Sequence, residues 1–394
     1  MLAWLSAVCS LTRVADQLSI DDIGPIRTAE FFAGIGLVRT ALEPLGIDVV
    51  WANDIEKAKR DVYAANHDAN DFHLGDIRDV TARRLPQGLE LATSSFPCVD
   101  LSLAGNRRGL LGEQSGMFWE FARILEELGE GRPRVVLLEN VVGFASSHGG
   151  KDLTDALAEL ARLGYSSDVF TVDARHFVPQ SRPRMFLLGI RGQLPPGAVC
   201  GMPPASDVRP EWVRRIYLKH PDLRMHYLPM AALPQDPLEL SAVIERLAAD
   251  DRRWWDGDRV RAFQDSLSPG QAARVEALRN APSITWRAAY RRTRNGIAVW
   301  EVRRDSIGGC LRTTGGGSSR QALVELGTGS LRVRWMTPVE YARLMGAGSY
   351  RVCAATPNQA LFGFGDAVVV DVIRWIGEQY LLPVLRAARA GVAA

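Results

Sequence analysis

Short apolar runs recur along the first half of the chain, and each is followed by a stretch with helical spacing. RTAEFF (27–32), DVVWA (48–52), FHLGDI (72–77), LELATSS (89–95), RVVLLEN (134–140), YSSDVFTVD (165–173) and RMFLLGI (184–190) read as buried strands bounded by turn residues. VRTALEPL (38–45), IEKAKRDVYAANH (55–67), FWEFARILEEL (118–128) and LTDALAELARLG (153–164) read as helices. This alternation predicts an α/β chain built on βαβ units, with a mostly parallel, Rossmann-like sheet. The rhythm breaks after about Arg191, where QLPPGAVCGMPPASDVRP is rich in proline and glycine. From there to about Gly329 no βα repeat is visible, and the region reads as a smaller, irregular domain. From Arg334 onward the pattern is helical again, in TPVEYARLMG and AVVVDVIRWIGEQYLLPVL. The expected division is residues 1–191 as one domain, completed by 347–394, and 192–346 as the second with its organising segment.

Composition adds little to that picture. The 394 residues are 47% hydrophobic and 23% charged, ordinary for a soluble protein. A net charge of +2 does not by itself point to nucleic acid. The distribution does: between Thr285 and Arg320 eight arginines (287, 291, 292, 294, 303, 304, 312 and 320) face only Glu301 and Asp305. The five cysteines are scattered with no CxxC, which argues against a disulfide framework and a cysteine zinc site and fits the cytoplasm. LAWLSAVCSL (2–11) has no basic flank before it and reads as a short packed helix, not a signal peptide. No run approaches the ~20 apolar residues of a membrane span.

Candidate chemistry collects at the predicted strand ends. EFFAGIGLVRTALE (30–43) places Gly34 and Gly36 between a strand and a helix, where the backbone can approach a ligand. The tight turn alone would also explain them. The next strand ends in Asn53-Asp54 and the third in Gly75-Asp76-Ile77. Acids there suit ribose hydroxyls, though Asp54 suits a helix cap equally well. The fourth strand leads into TSSFPCVDLS, which puts Cys98 at the same edge, either as a buried small hydrophobe or as a nucleophile. SLAGNRRGLLGEQSG (102–116) then reads as a loop able to close over a substrate. The fifth strand ends in Glu139-Asn140-Val141, a carboxyl placed for acid chemistry. QSRPR (180–184) carries Arg182 and Arg184 on alternate positions, facing one side if extended.

The succession FxGxG, ND, GDI, PC, ENV, QxRxR, RWMTPxExxRLMG and GDAV resembles the bacterial-type DNA cytosine-5 methyltransferases from about residue 27 to 377. The resemblance implies S-adenosylmethionine as cofactor and no metal. It implies Phe32, Gly34, Gly36, Asp54, Ile55, Asp76, Ile77, Pro97, Asp366 and Ala367 around that cofactor. Cys98 would attack C6 of a flipped cytosine, Glu139 would meet N3, and Arg184, supported by Arg182, would meet the O2 side. Double-stranded DNA would be the partner, touched by Ser102, Arg107 and Arg108 and by Arg291, Arg292, Arg294, Arg312 and Arg320. It further implies a monomer accompanied by a cognate restriction endonuclease. Val99 stands where the family usually has glutamine, Leu37 where a third glycine is common, and Asp366 where asparagine is frequent. Other readings are an RNA cytosine-5 methyltransferase, a catalytically silent DNA-binding protein on the same scaffold, or a nucleotide-dependent oxidoreductase. The 192–329 region favours a reader of duplex DNA.

Overall fold

The strand ends that carry the candidate chemistry converge because of how one sheet is ordered. A computed structural model describes residues 24–97, 110, 116–236, 238–294, 296–313 and 320–392. Cys98, Val99, Ser102, Arg107, Arg108 and the run 2–11 lie outside the described residues. Seven strands, β1 (Ile26–Phe31), β2 (Ile47–Asp54), β3 (Phe72–Leu74), β4 (Leu91–Ser94), β5 (Val135–Val141), β6 (Tyr165–Asp173) and β7 (Pro183–Arg191), form a sheet in the order β3-β2-β1-β4-β5-β7-β6. All pairings are parallel except those of β7. The connection from β6 to β7 holds only a short 3-10 turn, Ala174–His176. That is too short for a crossover helix, so β7 must run antiparallel.

Strand order reverses between β1 and β4, which opens a crevice at their carboxyl ends. β5 shows why these strands read as unbroken apolar runs. Val135 and Leu137 enter the core beside the C-terminal helices, while Val136 and Leu138 enter the core beside the helix Met117–Glu127. A strand buried on both faces has no polar alternation. The helices Val370–Ile376 and Leu382–Val392 return to this sheet, so the chain end completes the first lobe.

The linker after β7 also packs on the first lobe. It forms β8 (Val199–Cys200) and β9 (His226–Tyr227) and the helix Glu211–Lys219, whose Val213 and Tyr217 join the core under β5 and β6. Asp168 of β6, fully buried, binds the Arg209 guanidinium at 2.6 Å and accepts the hydroxyls of Tyr217 at 2.7 Å and Tyr380 at 3.0 Å. One buried carboxylate therefore ties β6, the linker and the C-terminal helices together. The expected start of the second domain at residue 192 falls before this segment.

Beyond it, the region without visible repeat is an antiparallel sheet. β10 (Thr285–Arg294), β11 (Ile297–Val302), β12 (Ala322–Gly327) and β13 (Ser330–Trp335) pair in the order β11-β10-β12-β13. The helices Gly257–Asp265 and Pro269–Arg279 supply Phe263 and Val275 to its core. Arg334, expected to open a helical segment, instead lies in β13, and the helix begins at Pro338. Arg334 is fully buried and paired with Glu340, whose carboxylate also completes a capping box with Thr337. No helix among the described residues is long and apolar enough to cross a membrane.

Candidate active site

At the end of β5 the side chain of Glu139 is nearly buried and meets Arg184 Nε at 2.8 Å. The strand register explains the pair. Arg184 lies opposite Val141, so Glu139 is its diagonal neighbour on the same face. The next side chain, Asn140, turns toward β4 and donates from Nδ2 to the Phe96 carbonyl at 3.1 Å. The peptide just before Pro97-Cys98 is thereby held at the end of β5.

Arg182 and Arg184 differ sharply although they are two residues apart. Arg182 is 2% exposed and donates to the carbonyls of Leu311 at 2.8 Å, Gly365 at 3.1 Å and Ala367 at 2.6 Å. It joins the start of β7, the segment between β11 and β12 and the end of the helix Pro357–Asp366, so it positions the site. Burial, then the like charge of Arg184, lowers its pKa. Cys310 lies between the two guanidiniums, its Sγ 3.4 Å from Arg182 Nη1 and 3.8 Å from Arg184 Nη2. Burial pushes the Cys310 thiol up, but the two arginines outweigh it and bring it below the ordinary thiol value. Sequence reading missed Cys310, because nothing around it signals proximity to residues more than a hundred positions away.

A second cluster occupies the ends of β1, β2 and β3. Phe32 has φ 57 and Gly34 φ 57; the left-handed conformation of a bulky residue such as Phe32 marks a position held by its surroundings. A Cβ on Gly34 would meet nothing within 4 Å, so this glycine opens onto free space. Gly36 serves packing instead: at φ 85, its Cβ would collide with the Tyr63 ring at 2.7 Å. Asp54 accepts the Gly34 amide and the Glu56 amide, each at 2.9 Å on a different oxygen. Each oxygen keeps a further acceptor site. Asp76 caps the turn Ile77–Asp79 and holds Arg78 at 2.5 Å. Ile55 and Leu74 stand 62% and 48% exposed beside these acids, although both are large and apolar. Apolar walls, two carboxylates and a glycine turn with open space fit the adenine, ribose and amino-acid parts of S-adenosylmethionine.

Lys59 closes the cluster from the second helix, reaching Asp366 at 2.7 Å and Glu56 at 3.1 Å. Burial works against its charge, yet Asp54 and Asp366 raise its pKa. Glu30, next to the last residue of β1, is 2% exposed, and its Oε2 finds no hydrogen-bond partner among the described residues. Burial pushes its pKa up to about 8 despite the nearby Arg39. A charge inside an apolar run was the signal available in the sequence for Glu30, and sequence reading passed over it.

The expected DNA-facing arginines of the second sheet region differ in what holds them. Arg292 and Arg294 flank Glu301 at 3.8 and 2.5 Å on the β10–β11 hairpin, where Arg291 is exposed. Arg320 stacks 5.0 Å from the Trp335 ring centroid, and Arg312 is exposed two residues from Cys310.

The family model of C-5 cytosine-specific DNA methylases matches residues 26–381, which span both sheets. The chain belongs to that family. It is similar to the Type II methyltransferase M.DsaV of Dactylococcopsis salina, 28% identical over 90% of this chain and 86% of that protein. The Type II methyltransferase M.HhaI of Haemophilus parahaemolyticus is 26% identical over 89% of this chain and 93% of its own length. The Dnmt2 methyltransferase of S. pombe shares the fold at a TM-score of 0.58 and 18% identity, over 91% of this chain and 98% of its own. The methylase is thus an S-adenosylmethionine-dependent enzyme that methylates C5 of cytosine in DNA. Among the described residues, no group of three or more His, Cys, Asp or Glu is placed to hold a metal ion.

Proposed function

We propose that this methylase acts on a cytosine turned out of a specific duplex sequence, through a covalent bond from Cys98 to C6. The observation that carries this reading is the Glu139–Arg184 ion pair, on a strand end whose Asn140 grips the carbonyl two residues before Cys98. C5 of cytosine is a poor nucleophile, and addition of a thiolate at C6 makes it an enamine carbon that accepts a methyl group. Glu139 protonates N3 or hydrogen-bonds there, which draws electrons toward that nitrogen. Arg184 orients the base at O2, while Arg182 fixes the backbone on three sides. S-adenosylmethionine supplies the methyl group as an electrophilic sulfonium. Phe32, Ile55 and Ile77 offer it apolar walls, Asp54 accepts from its ribose hydroxyls, Gly34 leaves room, and Asp76, Pro97, Asp366 and Ala367 border it. Solvent water acting as base then takes the C5 proton, the C5–C6 double bond re-forms, and the C6–S bond breaks to release Cys98 as thiolate. The base must leave the stack for C6 to be reached, and residues 102–116, with Ser102, Arg107 and Arg108, close over it. The second sheet and its β11–β12 connection, with Arg291 and Arg312 exposed, meet the duplex.

We further propose that the methylase acts as a monomer and is accompanied by a cognate restriction endonuclease. Purified protein with labelled S-adenosylmethionine should label duplex DNA and leave transfer RNA unlabelled, and bisulfite sequencing should show one sequence context. Cys98→Ser should abolish transfer while cofactor affinity is retained; methylation by that variant at the wild-type rate would remove Cys98 from the mechanism.

A further inference from the structure

A second concave site lies apart from the cofactor cradle. It is a groove of about 600 Å³ between the turn that follows β5 and the helix Glu211–Lys219. Val142, Leu153, Trp212 and Ile216 give it an apolar wall. Every lining side chain that ionises is basic: Lys151, Arg215, Lys219 and the imidazoles of His148 and His220. Lys219 has no ion pair among the described residues, and Arg215 approaches Glu211 only at 3.9 Å. Lys151 holds Asp155 in an exposed pair that a stronger anion can displace.

Both imidazoles are fixed. His148 Nδ1 lies 3.0 Å from the buried Asp152 carboxylate. The Thr154 hydroxyl donates to Gly150 O, so it accepts from His220 Nε2 at 3.0 Å. Gly149 and Gly150, both left-handed, lead to the N-terminus of the helix Lys151–Arg162, which no side chain caps. Its first amides and its dipole add to the positive field.

The place of the groove in the fold selects the occupant. Val142 lies three residues beyond Glu139, at most about 11 Å along the chain. A target base set against Glu139 therefore has its flanking backbone within reach of this groove. We propose that the groove takes the sugar–phosphate backbone flanking the target cytosine, with Lys151, Arg215 and Lys219 meeting its phosphates and Trp212 packing on a sugar or base face. This rests on the DNA-methylation reading, and the test separates the two.

The triple variant Lys151→Ala/Arg215→Ala/Lys219→Ala changes exposed side chains only, and a thermal melt checks its fold. Binding to a 30-base-pair duplex holding the target is followed by anisotropy from 50 to 300 mM NaCl. Affinity should fall about 10- to 100-fold at 0.1 M salt, and the slope of log K against log salt should shrink by about two to three. Single-turnover methylation at saturating DNA should stay within about two-fold of wild type. Unchanged affinity and slope would overturn the proposal, as would weaker binding with an unchanged slope. If the variant instead loses binding to poly-glutamate while DNA binding is intact, the groove docks an acidic protein and the proposal falls. Failure of the wild type to methylate duplex DNA would overturn the underlying reading instead.

Discussion

The two sheets expose their function to a reader very differently. In the seven-stranded sheet, strands are buried on both faces, so an ionisable residue at a strand end stands out against an apolar run. Asp54, Glu139 and Arg184 were all visible in this way. In the four-stranded sheet arginines are both buried and exposed, and charge no longer marks the surface. Arg334 is fully buried against Glu340. Arg303 is taken up by Asp305, and Arg287 donates to the Thr285 hydroxyl and the Trp286 carbonyl. Arg291, Arg304 and Arg312 remain exposed without an ion pair among the described residues. What looks like one basic tract is a structural set and a smaller set free to meet phosphate.

That contrast can be broken by substitution. In the first sheet, Glu139→Gln should lower single-turnover methylation by about 10²- to 10⁴-fold, the usual range for a lost acid, with cofactor affinity unchanged. A rate within two-fold of wild type would take Glu139 out of the chemistry. In the second, Arg334→Ala leaves Glu340 as an unpaired buried charge and should cost about 3–5 kcal/mol in denaturant titrations. A loss below about 1 kcal/mol, the scale of an exposed pair, would show that the pair is solvated.

Glu30 tests the first sheet through pH. Its folded pKa, raised by burial to about 8, exceeds the ordinary 4.5, so the native state keeps a proton that the unfolded chain loses in this window. Stability should therefore be unaffected by Glu30 below pH 4.5 and should fall as pH rises to 8. Glu30→Gln should flatten that fall in thermal melts at pH 5, 7 and 8.5; identical profiles would mean that Glu30 is not the titrating group. The smallest effect is expected from the exposed arginines. Arg291→Ala should weaken DNA binding several-fold and reduce the salt slope by about one, whereas Arg303→Ala should change neither. Equal effects would erase the division between structural and DNA-facing arginines.

The sequence by itself determined the strands and helices of the first lobe and the order of its chemistry. β6 was read at its observed bounds and β5 within a residue, because period and apolar run length are local properties. Those local properties also put Asp54 and Glu139 at one edge, since parallel strands end on one side; Arg184 joins them because β7 runs antiparallel and begins there. Only the tertiary structure decided what each neighbour does. Arg182 and Arg184 are equivalent in the motif, yet one binds the carbonyls of Leu311, Gly365 and Ala367 while the other reaches the Glu139 carboxylate on β5. Lys59 with Asp366, and Cys310 with the two arginines, join residues far apart in the chain, which no spacing rule registers. The antiparallel sheet was invisible for the same reason: its buried charges are satisfied by partners that only folding brings within reach.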